Sequence, residues 1–263
     1  MNDPFPAIAE ASATGETADL FADIRATVGV RVVNLVWRHL ATLDGALPWA
    51  WAAVKPLYLD GLPDQAARRF RETMAIPRLA SLAGDAPAGV DAVLASYDHS
   101  NTINLFALGA LVAWLRGEVA AGLKPWGGAR LPAPDVTLPP LASEADVPPE
   151  TWALVQRLNR FGDRPQPLIL ASMYRHLAHA PAFLQRVEQA LAPAHADGAL
   201  DQAIAANRAA AHHAAKQLAQ AISAKRPALA DKIEAGVSGF VDHAIGKMVT
   251  ICRSIRVARG NAL

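Results

Sequence analysis

The sequence predicts an all-α protein arranged as a pseudo-dimer of two tandem helical repeats joined by a proline-rich linker. Three observations lead there. Ala, Leu, Gln, Arg and Glu fill nearly every ordered stretch, and alternating β-branched runs are almost absent. The stretch from Lys124 to Pro149, "KPWGGARLPAPDVTLPPLASEADVPP", is rich in proline and poor in helix signals. Finally, a shift of 137 positions lays Arg38-His39-Leu40-Ala41 on Arg175-His176-Leu177-Ala178.

The elements follow in order. A helix over 16–28 begins after "TGET" and stops at Gly29. A second, over 31–43, stops at "DG". A third starts near Pro48 and should end or kink at Pro56. The next begins at "PDQAARRF", where Asp64 suits the positive end of the dipole. Residues 88–119 form a long helical pattern broken by the polar string "YDHSNT" at 97–102. After the linker, helices are expected at 150–160, 168–179, 181–192, 200–223 and 227–256.

The same shift of 137 also aligns Leu47 with Leu184, Pro56 with Pro193, Asp60-Gly61 with Asp197-Gly198, and Asp64-Gln65-Ala66 with Asp201-Gln202-Ala203. With a small gap, "YDHSNT" meets "VDHAIG" at 241–246. A unit this long is a fused pseudo-dimer rather than a solenoid. It divides the chain into a first repeat at 1–123, a linker at 124–149 and a second repeat at 150–263. Two such units should pack about a pseudo-twofold axis, with a ligand pocket near their interface.

Composition narrows the function. Hydrophobic residues make up 52% of the 263 and charged residues 19%, and the net charge is +1. That balance gives no footprint for nucleic acid, and "RRFR" at 68–71 reads as a solvated helix face. Cys252 is the single cysteine, so no internal disulfide or thiolate cluster can form and a reducing compartment is expected. The N-terminus has no secretory pattern, and the apolar run at 105–115 is too short to span a bilayer. The expectation is a cytoplasmic protein without membrane partners, monomeric or homodimeric.

Three stretches carry a resemblance: "ADIRATVGVRVVNLVWRHLATLDGALPWAW", "VLASYDHSNTINLFALGALV" and "LASMYRHLAHAPAFLQRV". Together the chain resembles the group I D,L-2-haloacid dehalogenases over nearly its whole length. "HLAHAPAFL" is also similar to the carboxymuconolactone decarboxylase-like helical proteins, although the Cys-x-x-Cys helix of their thiol reductants is missing. The dehalogenase resemblance implies hydrolysis of the carbon–halogen bond of small 2-haloalkanoates by direct attack of water, without metal or organic cofactor. It implies that Asn101 holds the water and that the base, an aspartate in the family, falls on Met173 beside Ser172. It also implies pocket walls at Val32 and Leu35, and at Val241 and Ile245 in the second repeat. A thioether cannot take a proton, and a positioned base contributes on the order of 10²–10⁴ in rate.

Two side chains could replace the base. Asp98 precedes Asn101 by three residues, on one helical face, or else it caps the helix at the polar break. His176 follows Met173 by three residues and could act as a base near neutral pH. His39 holds the same place in the first repeat, which suits a structural role. Arg38 and Arg175 could clamp a carboxylate or tie helices to backbone. His212-His213 point apart and share no metal. Trp37, Trp49 and Trp51 read as packing between the repeats. Two functions remain open: a hydrolase of small 2-substituted carboxylates, or a non-catalytic small-acid-binding or interaction protein on the same fold.

Overall fold

The computed structural model describes residues 6–120, 128–162 and 169–261. Positions 1–5 of the N-terminal reading, positions 123–127 at the boundary of repeat and linker, and position 168 at the start of an expected helix lie outside the described residues. In chain order the helices are α1 (Gly15–Val28), α2 (Leu35–Leu40), α3 (Ala46–Leu59), α4 (Leu62–Thr73), α5 (Val90–Arg116), α6 (Pro149–Asn159), α7 (Ser172–Leu177), α8 (Pro181–Ala196), α9 (Ala199–Leu218), α10 (Ala230–Gly239) and α11 (Gly246–Ala258). A π-helical turn, Phe240–Ile245, joins α10 to α11. No β-strand occurs among the described residues, so the chain is all-α.

Local signals explain several ends. Gly29 closes α1 in the left-handed conformation at φ 74°, which only glycine adopts without strain. Other expectations need correction. The helix expected over 31–43 begins only at Leu35. Tertiary bonds hold the residues before it: the Val33 amide donates to Glu10 at 2.7 Å, and Arg31 pairs with Asp135. Pro56 does not end α3. It sits in the last turn, where its carbonyl accepts from the Asp60 amide at 2.9 Å. Pro193 does the same in α8, accepting from the Asp197 amide at 3.0 Å.

The polar string at 97–102 does not break α5 either. Its side chains are buried, and all but Thr102, which bonds back to the Asp98 carbonyl, find partners on other elements, so the helix runs on through it. Nor is 68–71 a solvated face. Arg68 and Arg69 are exposed, but Phe70 packs edge-on against Phe106 at 5.4 Å, and Arg71 turns inward.

Two apolar cores result. The first gathers Trp37, Leu57 and Phe106 with Ile233, Val237 and Phe240. The second gathers Leu94, Tyr174 and Phe183 with Ile251 and Ile255. Helix α5 gives its N-terminal turns to the second core and its C-terminal turns to the first. The α10–α11 arm does the reverse, so both cores draw on both halves of the sequence. Helices α2 and α7 begin at Leu35 and Ser172, α3 and α8 end at Leu59 and Ala196, and α4 and α9 begin at Leu62 and Ala199. Of the tryptophans, Trp37 meets Trp51 edge-on at 5.4 Å within the first half, while Trp49 Nε1 reaches across to the Lys225 carbonyl at 3.1 Å.

Candidate active site

Where the two cores meet, the chain leaves a cavity of about 60 Å³. That is room for a few waters or a small organic acid. Its walls come from four places: the extended strip and first turn of α2, the polar band of α5, the residues leading into α7, and the π-helical turn. Leu138, from the linker, covers one side.

Val32, Leu35, Asn101, Ser172, Met173 and Ile245 all line this cavity. Met173 is 1% exposed, and its thioether forms part of the apolar wall. Val241 does not reach it. One turn earlier than Ile245, it is buried in the first core, on the side facing Gly109.

Asp98 also fails to reach the cavity, which corrects its candidacy as base from the same helical face as Asn101. Its carboxylate lies among three guanidinium groups: Oδ2 is 2.5 Å from Arg256, 3.5 Å from Arg253 and 3.6 Å from Arg71. Nor does Asp98 cap a helix, since it sits in mid-α5.

His176 is one side chain removed. Its Nδ1 lies 3.5 Å from the Tyr97 hydroxyl, and Tyr97 lines the cavity. Ser172 bonds the same phenol. Burial, reinforced by Arg175, His179 and Arg38 nearby, pushes the His176 imidazolium down to about 4, so the ring is neutral near pH 7. Burial drives the Tyr97 phenol the other way, well above its usual range. His176 faces a second hollow beneath Leu138, lined also by Val93 and His179.

An amide network fixes Asn101. Asn34 Nδ2 donates to Asn101 Oδ1 and to Ser100 Oγ, both at 3.4 Å. Asn34 Oδ1 in turn accepts from Asn104 Nδ2 at 3.1 Å. Asn104 is anchored by Trp37 Nε1 at 3.2 Å and the Tyr58 hydroxyl at 2.7 Å. With its oxygen engaged, the Asn101 amide can present N–H to the cavity.

The two equivalent arginines differ. Arg175 Nε donates to the Ala142 carbonyl at 2.7 Å, tying the linker down. Arg38 lines the cavity, and its Nε is buried without a hydrogen-bond partner among the described residues. Among the described residues, no Asp or Glu lines the cavity. A guanidinium with no described carboxylate beside it, hydroxyls, amide N–H groups and apolar walls can together hold a small anion with an apolar arm.

No protein-family model matches the sequence, and no curated protein matches it significantly. Solved structures do match. The chain superposes on a D-2-haloacid dehalogenase mutant with a TM-score of 0.73 at 18% identity, covering 98% of this chain and 97% of that one. Structures of a mutant complexed with D-2-CPA and of the enzyme complexed with L-LA both give 0.72 at 18% identity, covering 100% of this chain and 97% of theirs. The chain has the haloacid dehalogenase fold.

On that dehalogenase fold, sequence reading missed Asn34, Tyr97 and the π-helical turn. Asn34 was hidden inside an expected helix, and Tyr97 inside an expected break. The turn leaves no local signature beyond Gly239 and Gly246 at its ends. Among the described residues, no group of three or more His, Cys, Asp or Glu gathers as metal ligands, and no helix is long and apolar enough to cross a membrane.

Proposed function

We propose that this chain is a hydrolase of the 2-haloacid dehalogenase type, acting on a small 2-substituted carboxylate with water as nucleophile and no cofactor. The observation that carries the reading is Arg38, a guanidinium on the cavity wall whose buried Nε has no hydrogen-bond partner, and beside which no acidic residue lines the cavity, among the described residues. The substrate carboxylate pairs with Arg38 and Ser172. Its 2-substituent lies against Val32, Leu35, Met173 and Ile245.

Asn101 holds the water behind the C–X bond. The water oxygen forms the new C–O bond as the C–X pair leaves with the halide, inverting the carbon. The water proton passes through the Tyr97 hydroxyl to His176. With its acid form near 4, His176 is about as basic as an ordinary carboxylate, so it matches the family aspartate in strength though not in position. Met173 stands where that aspartate is expected.

Two observations favour a second reading, a small-acid binder without turnover. Among the described residues the cavity has no carboxylate on its wall, and a phenol as reluctant to ionise as Tyr97 relays protons poorly. Halide release from both enantiomers of 2-chloropropionate, measured alongside calorimetric binding, separates the readings. Release by the native chain that falls at least tenfold in His176→Gln supports the relay. Binding without release, with release appearing in Met173→Asp, supports the binder. Neither binding nor release in either protein overturns both.

We also infer an origin by duplication, with repeats at 1–123 and 150–263 around the linker at 124–149. The recurring helix boundaries and the left-handed Gly61 and Gly198 support it.

A further inference from the structure

Outside the cavity, an imbalance of charge lies around Asp98. Arg71 on α4 and Arg253 and Arg256 on α11 converge on that one carboxylate of α5. All three approach the same oxygen, Oδ2. One anionic atom cannot satisfy three planar forks of N–H donors. Arg256 takes the short bond at 2.5 Å, and Arg71 Nη2 turns instead to the Asp98 carbonyl at 2.8 Å. Arg71 Nε is left buried with no hydrogen-bond partner among the described residues. Arg253 stands at 3.5 Å, an ion-pair distance with no hydrogen bond to the carboxylate.

The cluster therefore carries two positive charges more than it neutralises. It does so while largely shielded: the three arginine side chains are 14–17% exposed, and Asp98 is 4% exposed. Guanidinium groups out of water with free donors are costly unless an acceptor joins them. Their residual exposure leaves a path for one from solvent.

We propose that Arg71, Arg253 and Arg256 form a binding site for a phosphate group, separate from the cavity. A tetrahedral dianion matches the surplus of two charges. Its several oxygens can serve three forks approaching from two helices, which a second carboxylate or a halide cannot do as fully. Asp98 then acts as the internal acceptor that spaces the arginines. The site has no part in the chemistry proposed for the cavity and stands or falls apart from it.

Calorimetric titration of the full chain at fixed ionic strength, with inorganic phosphate in one arm and methyl phosphate in the other, tests the site. The expected result is one equivalent bound with a sub-millimolar dissociation constant, weakened at least tenfold in Arg253→Gln and unchanged in Arg38→Gln. Tighter binding of methyl phosphate identifies a phosphate monoester as the ligand; equal or weaker binding identifies the free ion. A second readout is the melting temperature, which 10 mM phosphate should raise in the native chain and not in Arg253→Gln. No heat and no melting shift at that concentration overturn the proposal, as does binding that Arg253→Gln leaves intact. Loss of phosphate binding in Arg38→Gln would move the anion to the cavity and also overturn it.

Discussion

Replacing Asp98 by Asn separates the structural account of this residue from a catalytic one. The substitution keeps the shape and removes the charge. Three guanidiniums then face one another across a neutral amide, with the side chain only 4% exposed. Breaking a buried pair from one side costs about 3–5 kcal/mol, against a total stability of about 5–15 kcal/mol. With a urea slope of about 2–3 kcal/mol per molar, the unfolding midpoint should fall by roughly 1–2 M. Circular dichroism in urea measures this directly. The companion variant Asp98→Asn/Arg253→Gln should recover about 1 kcal/mol, because it removes one of the uncompensated charges. Halide release per folded molecule should stay close to native. An unfolding free energy within about 0.5 kcal/mol of native, together with abolished turnover, would refute the reasoning and return Asp98 to the chemistry.

Three further outcomes are expected. Arg38→Gln should weaken binding of 2-chloropropionate by about 10–100-fold, the worth of a charge-assisted pair of about 1.5–3 kcal/mol, with little change in melting temperature. His176 folds in its neutral form with its acid form near 4, against about 6.5 unfolded, so protons bind the unfolded chain first. Its contribution is therefore complete above pH 6.5 and is lost as pH falls towards 4, by up to about 3 kcal/mol. Urea midpoints measured across that window should slope in the native chain and flatten in His176→Gln. Gly162→Ala should destabilise by about 1–3 kcal/mol in thermal melts, since φ there is 76° and a Cβ would sit 2.3 Å from Ile204 Cδ1.

Helix content and several boundaries were legible because they rest on local chemistry. Gly29 ends α1 wherever the rest of the chain lies. What stayed hidden depends on distant partners. Tyr97, Asp98 and Asn101 look like a helix break because isolated polar residues favour solvent. They stay helical because His176, Arg256 and Asn34 meet them from other parts of the chain. Asp98 and Asn101 share a spacing but not a destination, since two of the three arginines that draw Asp98 away, Arg253 and Arg256, lie more than 150 positions later. Val241 and Ile245 looked equivalent as wall residues, and the π-helical turn separates them by shifting register. The aligned arginines Arg38 and Arg175 could not be told apart by type. Their surroundings distinguish them: Arg175 donates to the Ala142 carbonyl, while Arg38 lines the cavity.

The exchange of helix ends between the cores reaches beyond stability. A substitution in α5 or α11 is felt on both sides of the molecule at once, so neither core is free to drift alone there. Innovation is steered to the seam, where side chains border empty space and owe little to either interior. A chain built this way can change the side chains that line its cavity, Met173 among them, while its scaffold stays recognisable at 18% identity.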